Sequence, residues 1–188
     1  MLNVKYVVTD KKINNPDFVP LKGVKGIYIN KKVLPKAWIV GKIKSVKSQK
    51  ESLMETLLRG FDPSYEAVVL SSKEIDIPMD VNGKANIKSK KENRIEINCK
   101  SKTGGLLVLS EIYYEPGWKA FINGEETKIY QTNHILRSVQ IPPGNSKVVF
   151  EYDSLEWEKT RMLSRVSLLI VLGLIGFSVF REERNKKK

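Results

Sequence analysis

Histidine and cysteine are almost missing from this chain: one of each, His134 and Cys99, in 188 residues. A lone thiol excludes an intramolecular disulfide and any multi-cysteine zinc site, and a lone imidazole excludes every catalytic or metal scheme that needs two. The short signatures of common enzymes are absent as well. There is no GxGxxG, GxxxxGKS/T, HExxH or GxSxG, so dinucleotide, phosphate-loop, zincin and serine-hydrolase mechanisms have no foothold. The opening MLNVKYVVTDKK carries no continuous apolar run of the roughly 7–15 residues that an export signal needs. No internal repeat and no extended Gly/Ser linker is present. Acidic side chains are in deficit, 21 against 33 Lys and Arg, a net +12. Such a surface draws acidic partners, nucleic acid or anionic lipid head groups, and charge alone does not choose between them. What remains is ordinary for one folded domain with a short appendage: 41% hydrophobic residues, enough to bury a core.

The apolar residues are unevenly placed. From Met162 to Phe180 the chain reads MLSRVSLLIVLGLIGFSVF, with Arg165 its one charge. At about 1.5 Å per residue this helix is ~28 Å long, close to the hydrocarbon thickness of a bilayer. Arg165 lies three residues inside the N-terminal end, where its long stem carries the guanidinium to the head groups. A buried helix of a soluble domain is the competing reading, because the uninterrupted apolar stretch, Val166 to Phe180, is 15 residues. The expected organisation is a β-rich domain over 1–158, a transmembrane helix over 159–180 and a basic tail over 181–188, REERNKKK, suited to an anionic cytoplasmic leaflet. The balance of Lys and Arg on the two sides favours a cytoplasmic C-terminus only slightly, which would put the main domain outside the cytoplasm. Either the domain is cytoplasmic and tail-anchored, or the chain is the C-terminal piece of a longer membrane protein whose earlier helices export it.

Before that span the patterns are those of strands. Asn93 to Lys100 alternates, with Ile95, Ile97 and Cys99 on one side and Glu96, Asn98 and Lys100 on the other, which makes Cys99 core filler rather than a reactive thiol. Gly105 to Tyr114 is apolar on both faces and should be a central strand covered on both sides. Trp118–Ile122 and Thr127–Tyr130 flank Asn123-Gly124-Glu125, a hairpin signal. Ile135–Ile141 and Ser146–Tyr152 flank the turn sequence Pro142-Pro143-Gly144-Asn145. Shorter runs precede them at Asn3–Val8, Gly26–Ile29, Ala37–Val40 and Ala67–Leu70. Between Gln49 and Arg59, Leu53, Met54, Leu57 and Leu58 recur at helical spacing, with Ser52 and Glu55 as a capping pair and Gly60 as the stop. The basic run Gly83–Asn93 is expected to be a solvated hairpin or edge strand rather than a nucleic-acid patch. The predicted fold is therefore mainly β, an antiparallel sandwich-like domain with one short helix and a single C-terminal transmembrane helix.

Candidate chemistry is sparse. Carboxylate pairs for sugar chemistry could come from Asp62, Glu66, Asp76, Asp80, Glu111 or Glu115, but spacing alone brings no two of them to the separation of about 5–9 Å that glycoside chemistry uses. The YYEPGW run gathers Tyr113, Tyr114 and Trp118 beside Lys119, with Arg137 expected nearby across the sheet. Aromatic side chains with a polar tip can stack on sugars or dock a protein; the plainer reading makes Trp118 and one tyrosine core and puts the other at the membrane interface. His134, in QTNHILR, falls between strands as a loop residue.

The order of motifs from Gly105 onward resembles the C-terminal region of the YfhO-type bacterial membrane proteins. The family's pattern is a strand ending in a Y-Y-P-G-W turn, a dG hairpin, an n…R-a strand, a vPaG turn and an f-x-Y strand. These fall here on Tyr113–Trp118, Asn123-Gly124, Asn133 with Arg137, Pro142–Gly144, and Phe150 with Tyr152. Glu115 is an insertion-like departure and Ser138 replaces the small Ala. Leu2–Val8, the LPKAW run from Leu34, and Phe61–Pro63 also resemble the family. The resemblance implies long polytopic proteins that look like lipid-linked-sugar glycosyltransferases acting on cell-envelope polymers such as lipoteichoic acid. Their presumed catalytic acids lie in an N-terminal multi-span half that this sequence does not contain, so no catalytic residue is carried over. The chain is then expected to be the noncatalytic extracytoplasmic domain with the last span, without cofactor or metal. Its expected partners are the bilayer, an upstream multi-span region, and a lipid-linked sugar or anionic envelope polymer, with no nucleic acid. The glycan or acceptor surface would be Tyr113, Tyr114, Trp118, Lys119 and Arg137. The alternative is a stand-alone, membrane-anchored binding or structural domain with no enzymatic role.

Overall fold

Alternation along the chain becomes strands in the computed structural model, which describes residues 1–75, 83–153 and 155–186. In chain order these are β1 (Tyr6–Val8), β2 (Phe18–Pro20), β3 (Ile27–Asn30), β4 (Ala37–Val40) and β5 (Lys42–Val46). Helix α1 (Gln49–Leu57) and strands β6 (Glu66–Leu70), β7 (Lys84–Lys90), β8 (Arg94–Ser101) and β9 (Gly105–Ile112) follow. The domain closes with β10 (Trp118–Ile122), β11 (Glu125–Thr127), β12 (Tyr130–Thr132), β13 (Leu136–Ile141) and β14 (Gly144–Tyr152). The strands form a small sheet in the order β1-β3-β2, a five-stranded sheet β11-β10-β14-β8-β7 and a six-stranded sheet β4-β9-β13-β12-β6-β5. The chain divides into two units, Met1–Tyr152 and Asp153–Lys188.

The two large sheets face each other. Ile95, Ile97, Cys99, Ala120, Val148 and Phe150 of one meet Ala37, Ile39, Leu107, Leu109, Val139 and Ile141 of the other in a single buried cluster. The six-stranded sheet has a second apolar face, built from Trp38, Val40, Ala67, Val69, Leu106, Val108 and Leu136, with Met1, Leu34 and Ile75 packed against it. Strand β9 feeds both clusters, as its two-sided apolar sequence predicts: Leu107 and Leu109 point one way, Leu106 and Val108 the other, and none is exposed to solvent. Cys99 is buried, and loss of hydration pushes its thiol up to about 12, so it is core filler. The fold is mainly β and sandwich-like, with one short helix in the β-domain and a C-terminal apolar helix.

Local chemistry explains the connections. Asn123 and Gly124 have φ of 54° and 97°, the two positive values that a tight turn between β10 and β11 demands. The basic run from Gly83 forms the edge strand β7, hairpinned to β8, with a register shift between Ile87 and Ser89. That irregularity and the exposed Lys84, Lys88 and Lys90 blunt the edge. Trp38, of the LPKAW run, donates its indole N–H to the Pro63 carbonyl at 2.7 Å, so two segments far apart in sequence meet.

Three expectations need correction. The stretch Thr127–Tyr130 is not one strand: β11 pairs with β10 in the five-stranded sheet, while β12 pairs with β13 and β6 in the six-stranded sheet, so the chain changes sheets there. A βαβ connection is also present, because β5 and β6 pair in parallel and α1 lies between them, packed on β6. The cap of α1 is Ser48, whose Oγ accepts from the Glu51 N–H at 3.1 Å while the Glu51 carboxylate accepts from the Lys47 N–H at 3.0 Å; the pair is not Ser52 with Glu55. Glu55 instead bonds Lys44 at 2.6 Å.

The second unit is helix α2 (Leu155–Lys186). Within it, Lys159–Ser178 is one candidate membrane span by length and composition, with mean hydropathy 1.6 and no part buried.

Candidate functional site

The turn between β9 and β10 carries YYEPGW, and its geometry follows from Gly117. That residue sits at φ 82°, and a Cβ there would lie 2.6 Å from Cε2 of Tyr152. Only glycine lets the ring of β14 lie against the turn. Trp118 opens β10 and pairs in register with Tyr152; their rings meet edge to face, with centroids 5.7 Å apart at 61°. The f-x-Y and P-G-W motifs are thus two halves of one contact.

Arg137 completes it. The register between β13 and β9 shifts between Leu136 and Arg137, and the guanidinium stands 4.3 Å from the centre of the Trp118 ring. The residue is only 5% exposed. Its Nη2 donates to the Ile112 carbonyl at 2.7 Å, whereas Nε and Nη1 have no protein acceptor. Burial lowers its pKa from the usual arginine value and the carboxylate of Glu111 opposes that shift; the side chain stays a cation. Glu111 itself bonds Lys36 at 3.1 Å and Lys90 at 2.7 Å. Burial pushes its carboxyl up, but the two ammonium partners outweigh it and the net direction is down.

Two cavities share Trp118. One, about 250 Å³, is lined by Tyr113, Tyr114, Trp118 and Lys119 together with Glu115 and Glu126. The other, about 340 Å³, is lined by Trp118 with Arg137, Glu111, Lys90, Lys91 and Glu92. Of the five residues singled out in the sequence, Tyr113, Tyr114, Trp118 and Lys119 line the first cavity, and Arg137 lines the second together with Trp118. Tyr114 is 58% exposed, and the Tyr113 phenol is shifted up by burial and by Glu115. Glu111 with its two lysines, and Tyr152 behind Trp118, were not recognised as parts of the site. Lys36 gives no sequence signal because it arrives from β4's approach, whereas Tyr152 was marked by its motif.

The other marked residues are structural. Asn133 is fully buried at φ 47°, and it holds Val68 twice: its N–H donates to the Val68 carbonyl at 2.7 Å and its Oδ1 accepts from the Val68 N–H at 2.9 Å. Ser138 is buried with its hydroxyl 2.6 Å from that of Thr132, so its oxygen is satisfied. His134 follows at φ 69° in the loop between β12 and β13. Of the carboxylates considered for sugar chemistry, Asp62 accepts from the hydroxyl and N–H of Ser64. Glu66 pairs with Lys42 at 3.2 Å, and Glu115 lies in the β9–β10 turn. Asp76 and Asp80 lie outside the described residues. Among the described residues no group of three His, Cys, Asp or Glu side chains could hold a metal ion.

Residues 78–154 match the family model described as Bacterial membrane protein YfhO. The matched stretch runs from before β7 to the end of β14 and contains the whole Trp118–Tyr152–Arg137 constellation; Leu2–Val8, Leu34–Trp38 and Phe61–Pro63 lie ahead of it. No curated protein and no solved structure matches the chain.

Proposed function

Over residues 78–154 this chain is a YfhO-family sequence, and the family is one of bacterial membrane proteins; we propose that its β-domain is the noncatalytic, extracytoplasmic module of such a protein, acting in cell-envelope glycosylation of the teichoic-acid type. In this reading residues 1–158 lie outside the cytoplasm, 159–180 cross the bilayer and 181–188 end inside. The module presents an anionic acceptor polymer to chemistry carried by an upstream multi-span region that uses a lipid-linked sugar. The observation that carries the proposal is the clustering of Tyr113, Tyr114, Trp118 and Lys119 around one cavity within the family-matched stretch. Aromatic walls suit sugar rings, and ammonium groups suit phosphate.

The geometry also decides how to test it. Trp118 holds Arg137 and Tyr152 in place, so removing it would confuse binding with folding. Tyr114→Ala combined with Lys119→Ala leaves that contact intact. In detergent-solubilised full-length chain, the double variant should bind poly(glycerol phosphate) about tenfold more weakly, a change of about 1.4 kcal/mol, with an unchanged circular dichroism spectrum. Equal affinities would remove this surface from the reading.

The orientation has its own test. Cys99 is buried with its thiol shifted up to about 12 and so is silent toward thiol reagents near neutral pH. Lys88→Cys places a lone reactive thiol on the exposed edge strand β7. A membrane-impermeant maleimide should label it in intact cells. Labelling that appears only after lysis would place the domain in the cytoplasm and rule out the extracytoplasmic module.

A further inference from the structure

Helix α1 is inside out. A helix lying on a sheet ordinarily buries its apolar stripe, but α1 buries Ser52 and Thr56 against β6, with the Thr56 hydroxyl donating to the Ser52 carbonyl at 2.7 Å. Leu53, Met54 and Leu57, followed by Leu58 at its end, are 39%, 58%, 69% and 53% exposed. One exposed leucine means little; four at positions i, i+1, i+4 and i+5 form a continuous ridge. Ionic side chains border it. Glu55 is bonded to Lys44 and Glu51 to the backbone N–H of Lys47, while Lys47, Lys50 and Arg59 are exposed around the ridge. A leucine and methionine ridge edged by surplus cations is the pattern of a helix lying in the head-group layer of an anionic membrane.

We infer that α1 is a membrane-surface anchor: Leu53, Met54, Leu57 and Leu58 enter the interface of an anionic bilayer while Lys47, Lys50 and Arg59 pair with lipid phosphates. The candidate span in Lys159–Ser178 supplies the bilayer as the occupant, and the exposed Lys47, Lys50 and Arg59 complement its anionic head groups. The inference does not depend on the glycan reading and survives if poly(glycerol phosphate) fails to bind.

The test uses full-length chain reconstituted in nanodiscs. An environment-sensitive nitrobenzoxadiazole label is attached to Met54→Cys, with Lys88→Cys on β7 as the reference and Cys99 silent. In discs containing phosphatidylglycerol, the label at position 54 should emit to the blue of the reference and be quenched by lipids brominated in the acyl chain. Both effects should fall in phosphatidylcholine discs, and in the Lys47→Gln, Lys50→Gln, Arg59→Gln triple variant. Emission equal to the reference in every lipid would overturn the anchor. So would a blue shift without quenching by brominated lipid, because a second copy or another protein segment would then cover the ridge.

Discussion

Phe150→Ala lowers the stability of the β-domain by about 3–5 kcal/mol. Phe150 is fully buried in β14, where it pairs across the ladder with Ala120 on one side and Ile95 on the other. The small Ala120 leaves the ring its room, and the facing sheet closes over it with Leu107, Leu109 and Val139. Truncation leaves a cavity that β14, the central strand of its sheet, cannot collapse to fill, since its ladder bonds run to neighbours on both edges. Domains of this size are stable by about 5–15 kcal/mol in total, so the loss consumes a large share. Urea unfolding of full-length chain in detergent, followed by near-ultraviolet circular dichroism, should show a lower midpoint at an unchanged slope. A loss below about 1 kcal/mol, the scale of a surface change, would mean that the two sheets are not packed through this ring.

Gly117→Ala is the second large effect, and its mechanism differs. The substitution meets two separate penalties. A side chain at φ 82° costs about 1–2 kcal/mol, and a Cβ at 2.6 Å from Tyr152 forces the ring aside at a further cost of about 1–3 kcal/mol. Gly124→Ala is the control, for Gly124 has φ 97° but open space where its Cβ would stand. It should lose only the backbone term. The difference between the two variants isolates the ring contact, and the Trp118 emission should change in the first and not in the second. Equal losses would show that Tyr152 yields freely and that Trp118 and Arg137 are held by something else.

Much of the fold was legible because strand formation here is local. The alternation in Asn93–Lys100, the two-sided apolar run of β9 and the Asn123-Gly124 turn each declare themselves within ten residues, since burial of one face and the need for positive φ are written in residue type. The failures are those where distant packing overrides pattern. The stretch from Thr127 to Tyr130 reads as one strand, yet the two halves find partners in different sheets. The leucines of α1 recur at helical spacing, yet the residues that the helix buries are Ser52 and Thr56, a choice made by what β5 and β6 present to it and not by the pattern along α1.

The candidate site divides in the same way. Tyr113, Tyr114, Trp118 and Lys119 are neighbours in the chain, so their grouping needed no tertiary information, and the candidate membrane span is read from length and hydropathy alone. Sequence by itself determined the β class, the apolar C-terminal helix and the family-like order of turns. Tertiary structure alone decided that Arg137 stands over Trp118 with two nitrogens unsatisfied, that Tyr152 makes Gly117 obligatory, and that Glu111 gathers lysines from two other segments. Residue type fixes which surfaces must leave water, but which surfaces then meet depends on strand order and register, and those are set only when all the sheets form together.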